Sequence, residues 1–95
     1  MRKALVLNPK DNVAIALTNL KRDDVVEVQV GGDVVKVKVL NEIPFGHKFA
    51  IRDIGNDEPI IKYGEVVGVA TKSIGVGEHV HVHNVRGTRG RPKDK

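Results

Sequence analysis

Residues 25–39 constrain the fold most. Val-Val-Glu-Val-Gln-Val leads into Gly31-Gly32-Asp33, and Val-Val-Lys-Val-Lys-Val follows. Successive side chains of a strand point to opposite faces. Val26, Val28 and Val30 therefore share one face of a first arm, and Val35, Val37 and Val39 one face of a second. Glu27, Gln29, Lys36 and Lys38 take the other faces. Gly31-Gly32 or Gly32-Asp33 supplies the positive φ that a tight hairpin turn needs. Valine occurs 17 times in the chain, and its branched side chain packs well on a pleated surface. The chain is mostly β.

The flanking segments extend this reading. Lys3–Leu7 reads as a short strand that Asn8-Pro9 breaks. Asp11 is placed to cap a helix over Asn12–Leu20, because its carboxylate can accept from backbone amides left without partners in the first turn. Val13, Ala16, Leu17 and Leu20 then form one apolar stripe, and Lys21-Arg22 suit the negative end of the helix dipole. After residue 41 short strands are expected at 48–53, 60–61, 65–70 and 79–85. Turns at Gly55-Asn56-Asp57, Tyr63-Gly64 and Gly75–Gly77 separate them. The expected architecture is mostly β with one short helix, as a folded-over sheet or partial barrel. We find no convincing internal repeat.

Ninety-five residues make one domain with one modest core. There is no cysteine, so disulfides and thiolate metal sites are excluded. No signal-peptide pattern or membrane-length apolar run is present, which makes a cytoplasmic location the default expectation. The net charge of +4 is unevenly placed. Residues 86–95 carry five basic side chains against Asp94, whereas residues 1–85 are balanced at eleven of each sign. A neutral folded domain over 1–85 with a basic flexible tail or linker over 86–95 is expected. Phe45, Phe49 and Tyr63 are the only aromatic rings of Phe, Tyr and Trp type. Nucleic-acid binding is not expected, because single-strand binders need stacking rings beside a basic groove.

All four histidines, His47, His79, His81 and His83, lie between Gly46 and Val85. If 79–85 is a strand, His79, His81 and His83 share a face opposite Val80 and Val82. Imidazoles two residues apart on a strand lie about 6.5–7 Å apart, close enough to converge on one ion with metal–nitrogen bonds of about 2.0–2.1 Å. His79 and His83 would be about 13 Å apart, so all three cannot share an ion. The candidate pair is His81 with His83, or His79 with His81, and His47 can join from a neighbouring strand. Without a metal, the same pattern is an amphipathic strand whose outer face is histidine. Lys48 and Arg52 can contact a carboxylate or phosphate, or can be ordinary solvated residues. Asn84 can orient an imidazole or simply shape a turn. Glu78 is the nearest acid in sequence, but alternation places it on the other face. Ser73 is the only serine and has no glycine elbow, so acyl-transfer machinery is not expected. Gly75-x-Gly77 lacks the third glycine and following helix of a phosphate loop.

The motifs Asp11–Leu17, Ile43-Pro44-Phe45-Gly46-His47-Lys48 through Ile54, Pro59-Ile60-Ile61-Lys62-Tyr63-Gly64 and Gly77–Val85, in this order, are a fairly specific set. Over about residues 10–85 the chain resembles the N-terminal SAF domain of the altronate/galactarate dehydratase family. The resemblance implies a SAF-type β-clip fold. It also implies a part in β-elimination of water from a sugar acid, with a divalent ion, iron(II) or manganese(II), in the assembled enzyme. Some relatives, sulfolactate sulfo-lyase among them, carry this domain as a separate small subunit. The chain stops at Lys95 without the large catalytic region, so activity is expected only with a large dehydratase subunit and its sugar-acid substrate. On that reading His47, His81 and His83 act in catalysis, His81 and His83 ligate metal, and Lys48, Arg52 and Asn84 hold substrate. The alternative is a stand-alone SAF-type module that binds carbohydrate or protein without catalysis. It should bind unaided, whereas a subunit should show turnover only in the complex.

Overall fold

The computed structural model describes residues 3–87, and these form nine strands. They are β1 (Ala4–Leu5), β2 (Val13–Ala16), β3 (Val25–Val30), β4 (Asp33–Lys38), β5 (Lys48–Ala50), β6 (Pro59–Lys62), β7 (Glu65–Ala70), β8 (His79–Val80) and β9 (Val85–Gly87). Three antiparallel sheets result, in the orders β1-β2-β5-β8, β3-β4 and β6-β7-β9. No described residue is helical, so no helix among the described residues is long and apolar enough to cross a membrane.

The valine hairpin forms as its alternation requires. Val26 pairs with Val37 and Val28 with Val35, around the two-residue loop Gly31-Gly32, with Gly31 at φ 61°. Val26, Val28, Val37 and Val39 are buried, while Glu27, Lys36 and Lys38 are exposed.

The expected helix over Asn12–Leu20 is instead strand β2 and a bend. Val13 packs into one hydrophobic cluster and Ala14 and Ala16 into another, so β2 is covered on both faces. A short apolar run covered on both sides has no alternation to distinguish it from a helix. The capping cue is also used elsewhere. The Asp11 carboxylate is buried and accepts the Gly64 N–H at 2.8 Å, in the Tyr63-Gly64 turn that joins β6 to β7. Asn12 continues the clamp, accepting from Ile61 N–H and donating to the Pro59 carbonyl.

An internal repeat, which the sequence reading did not find, organises the molecule. The segments Leu20–Val26, Ile43–Phe49, Ile54–Ile60 and Ile74–Val80 are one seven-residue unit occurring four times. The first and last residue of every copy are buried. Residues two to five form a turn in which the last N–H meets the first carbonyl at 3.0 Å in all four copies. The third residue of that turn has positive φ, in Asp23 (76°), Gly46 (85°), Asp57 (70°) and Gly77 (90°), as a type II turn requires. Its N–H donates to Val39, Ala16, Ala70 and Ala50 respectively, and each of those residues donates back to the carbonyl of the turn's last residue.

The copies associate in pairs. Leu20 and Ile43 exchange backbone hydrogen bonds, as do Ile54 and Ile74. Each pair centres one of the two hydrophobic clusters, and a hairpin, β3-β4 or β6-β7, follows the first copy of each pair. Sheet β1-β2-β5-β8 spans the two clusters, with Phe49 in one and Ala50 in the other.

Val85–Gly87 is strand β9 against β7, and Arg86 approaches Asp57 at 3.8 Å. The rest of the expected tail, 88–95, lies outside the described residues.

Candidate functional site

His47 is the last residue of the second turn, and Gly46 with its positive φ aims it off the end of β5. Strand β8 lies beside β5 with His79 opposite Phe49. The His79 N–H is tied to the Asn41 side-chain oxygen at 2.9 Å. These contacts put His47 and His79 side by side, with His47 Nδ1 2.9 Å from His79 Nε2. One of these nitrogens carries the proton and the other accepts it.

The expected strand over 79–85 is broken. After Val80 the chain turns through His81-Val82-His83-Asn84, closed by the Asn84 N–H on the His81 carbonyl at 3.0 Å. Asn84 is fully buried, and its side chain bonds to the backbone. Its side-chain oxygen accepts the His81 N–H at 2.9 Å, and its side-chain nitrogen donates to the His79 carbonyl at 2.8 Å. Its carbonyl accepts the Thr71 N–H. The residue therefore fixes the backbone that carries two imidazoles.

The turn changes which histidines meet. The His47 and His81 rings stack at 4.4 Å between centroids, His47 and His79 at 5.1 Å, and His79 and His81 at 5.4 Å. His83 folds back to 5.3 Å from His79, well short of the roughly 13 Å that an extended strand implies. Val82, expected on the same face as Val80, is 81% exposed, whereas Val80 is buried.

One nitrogen from each of His47, His79 and His81 lies within 4.8 Å of the other two. Three imidazoles on one ion need nitrogen separations of about 3.0–3.4 Å for bonds near 2.1 Å. The 2.9 Å between His47 Nδ1 and His79 Nε2 is close to that spacing. The donors fit a divalent ion of the kind imidazole prefers. His83 is not in this convergent set. His79, absent from the expected catalytic group, is central to it. Its signal in the sequence is the His79-Val80-His81 spacing, equal in strength to that of His81-Val82-His83.

The electrostatics suit a cation ligated by neutral rings beside an anion. Burial, and then the surrounding His47, His83, His81 and Lys48, lower the pKa of His79 to about 4. Burial first, then His47, Lys48 and His83, lower that of His81. Both rings are held in the form that binds metal. Lys48 is half-buried on β5, and burial followed by the nearby Lys62 lowers its pKa. Among the described residues the convergent group contains no carboxylate. Lys48 lies near enough to the imidazoles to help lower the pKa of His79 and His81. Arg52 is exposed and its guanidinium donates to the Pro9 carbonyl at 3.1 Å, which leaves it on the surface rather than among the rings.

Known proteins resemble this chain in sequence. The family model described as the altronate/galactarate dehydratase SAF domain matches residues 2–88. An altronate dehydratase of Bacillus subtilis is 33% identical over 86 residues, which is 90% of this chain and 16% of that protein. An altronate dehydratase of Escherichia coli is 42% identical over 76 residues, 80% of this chain and 14% of that protein. The alpha subunit of a (2R)-sulfolactate sulfo-lyase from Chromohalobacter salexigens is 51% identical over 55 residues, 58% of each. The chain therefore spans about a seventh of the altronate dehydratases and little more than half of the sulfo-lyase subunit. With a β-rich fold and a family match running through every described strand, the chain belongs to the altronate/galactarate dehydratase SAF domain family.

Proposed function

We propose that this domain is the small component of a sugar-acid hydro-lyase acting on altronate- or galactarate-like acids, and that its histidine face completes a metal and substrate site against a large catalytic component. The observation that carries this reading is the convergence of His47, His79 and His81 beside Lys48, with no carboxylate of its own. The relatives support the setting. Two are altronate dehydratases in which the matched region is a small part, and another is by name one subunit of a lyase.

The reaction would remove a proton beside a carboxylate and expel hydroxide from the next carbon. A bound divalent ion, iron(II) or manganese(II), would stabilise the charge that develops on the substrate. His47, His79 and His81 would hold that ion, the last two with pKa values lowered by burial and their neighbours. The Lys48 ammonium draws the substrate carboxylate to the same place. His83, exposed and 5.3 Å from His79, is the imidazole left over for moving a proton. The strong base comes from the large component.

The test is reconstitution. The chain alone should not dehydrate altronate or galactarate, and mixing with a matching large component should give turnover that His79→Ala and Lys48→Ala lower by about tenfold or more, an order typical of losing a positioned group. Turnover by the chain alone, or a complex indifferent to both variants, would overturn the reading.

A further inference from the structure

The fourfold repeat shows what the last residue of each turn ordinarily does. In the first, third and fourth copies it is an acid that locks its own turn. Asp24 accepts the Lys21 N–H at 2.8 Å, Glu58 accepts the Gly55 N–H at 2.7 Å, and Glu78 accepts the Gly75 N–H at 3.0 Å. This is the side-chain-to-backbone closure of a cap. The turn of the second copy breaks the rule at both ends. The last residue of that turn is His47, and the first is Pro44, which has no N–H to offer.

The two departures explain each other. The backbone of the second turn is otherwise the same, with His47 N–H on the Pro44 carbonyl at 3.0 Å and Gly46 at positive φ. If residue 44 carried an N–H, it would point at the side chain of residue 47, as it does in the other three copies. An imidazole Nδ1 can accept there just as a carboxylate oxygen does. In the structure His47 Nδ1 is instead turned to His79 Nε2. The turn is braced from outside, by Asn19 accepting the Phe45 N–H at 2.8 Å. Asp53 does the same for Val76 in the fourth copy, which keeps its lock, so this brace does not substitute for the missing lock.

We propose that Pro44 is a positioning residue for the histidine site: by removing the one backbone donor that would capture the residue-47 side chain, it leaves His47 Nδ1 free to face His79 and His81. Part of its test rests on the metal reading above, and part does not.

The test compares wild type with Pro44→Ala in two measurements. In the metal-free protein, imidazole nitrogen NMR should show His47 Nδ1 moving from its His79 partner to the backbone N–H newly present at position 44, detected as a coupling across that hydrogen bond. In a cobalt(II) titration followed by visible absorbance, Pro44→Ala should bind about tenfold or more weakly, the size seen when groups orienting metal ligands are lost. A double variant guards against simple unfolding. In Pro44→Ala/His47→Glu the turn regains the lock of its three counterparts, so it should melt above His47→Glu alone. An unchanged His47 ring together with a double variant no more stable than His47→Glu would overturn the inference. Failure of wild type to bind cobalt(II) would sink the metal reading only, because the ring measurement still decides the role of Pro44. Equal cobalt(II) binding by wild type and Pro44→Ala would sink the role of Pro44 alone.

Discussion

Replacing Asn84 with alanine tests how the histidine end of the domain is held. The side chain is fully buried and makes two hydrogen bonds, from the His81 N–H at 2.9 Å and to the His79 carbonyl at 2.8 Å. Each bond contributes about 1 kcal/mol net, and a buried donor or acceptor left without a partner costs about 1–3 kcal/mol. Alanine fills neither role, so the loss should be about 2–4 kcal/mol. For a domain of this size that is a fall in Tm of about 8–32 °C, at roughly 4–8 °C per kcal/mol. Asn84→Asp keeps the acceptor for His81 N–H but loses the donor to His79, and should fall between wild type and alanine. Thermal unfolding followed by near-ultraviolet absorbance of Tyr63, or by scanning calorimetry, reads both. A Tm for Asn84→Ala within about 3 °C of wild type would refute the claim that this residue carries the turn.

Gly77→Ala should be worse than its size suggests. Gly77 has φ 90°, and an added Cβ would collide with the Lys38 carbonyl oxygen. A loss above about 3 kcal/mol in urea denaturation is expected, from left-handed backbone strain and a clash with main chain, and a loss under about 1 kcal/mol would contradict the packing described. The metal-free protein should also lose stability in mild acid. His79 titrates at about 4 when folded against 6.5 as its ordinary value, so between these values the unfolded chain binds more protons. The contribution is intact above pH 6.5 and is lost as pH falls toward 4, by less than the full linkage value because the ring is partly exposed to screening solvent. His79→Gln should flatten this slope in denaturation curves taken from about pH 7 to about pH 4.

Much of the fold is legible where the signal is local. The β3-β4 hairpin is one such element, because both arms alternate and two glycines lie between them. The Asn12–Leu20 segment is not, because β2 is covered on both faces and its buried alanines and valine look the same as one side of a helix. The repeat stays hidden because it keeps roles rather than residues. Asp23, Gly46, Asp57 and Gly77 answer one backbone demand with two residue types, and the buried ends vary among Leu, Ile, Val and Phe. The histidine site is visible in the sequence as a composition and not as a geometry. Alternation from His79 to Val85 is right for two residues and then fails, because Asn84 bonds back to His79 and His81 and converts the rest to a turn. That turn puts His79 in the convergent group and His83 beside it, a choice between the two pairs that a straight strand leaves open.

The most direct measurement is calorimetric titration of the chain with zinc(II), an ion that three imidazoles suit. The account predicts one ion per chain, with His47→Ala, His79→Ala and His81→Ala each weakening binding by about tenfold or more and His83→Ala changing it by less than about threefold. No binding by wild type, or a loss in His83→Ala equal to that in His79→Ala, would contradict it.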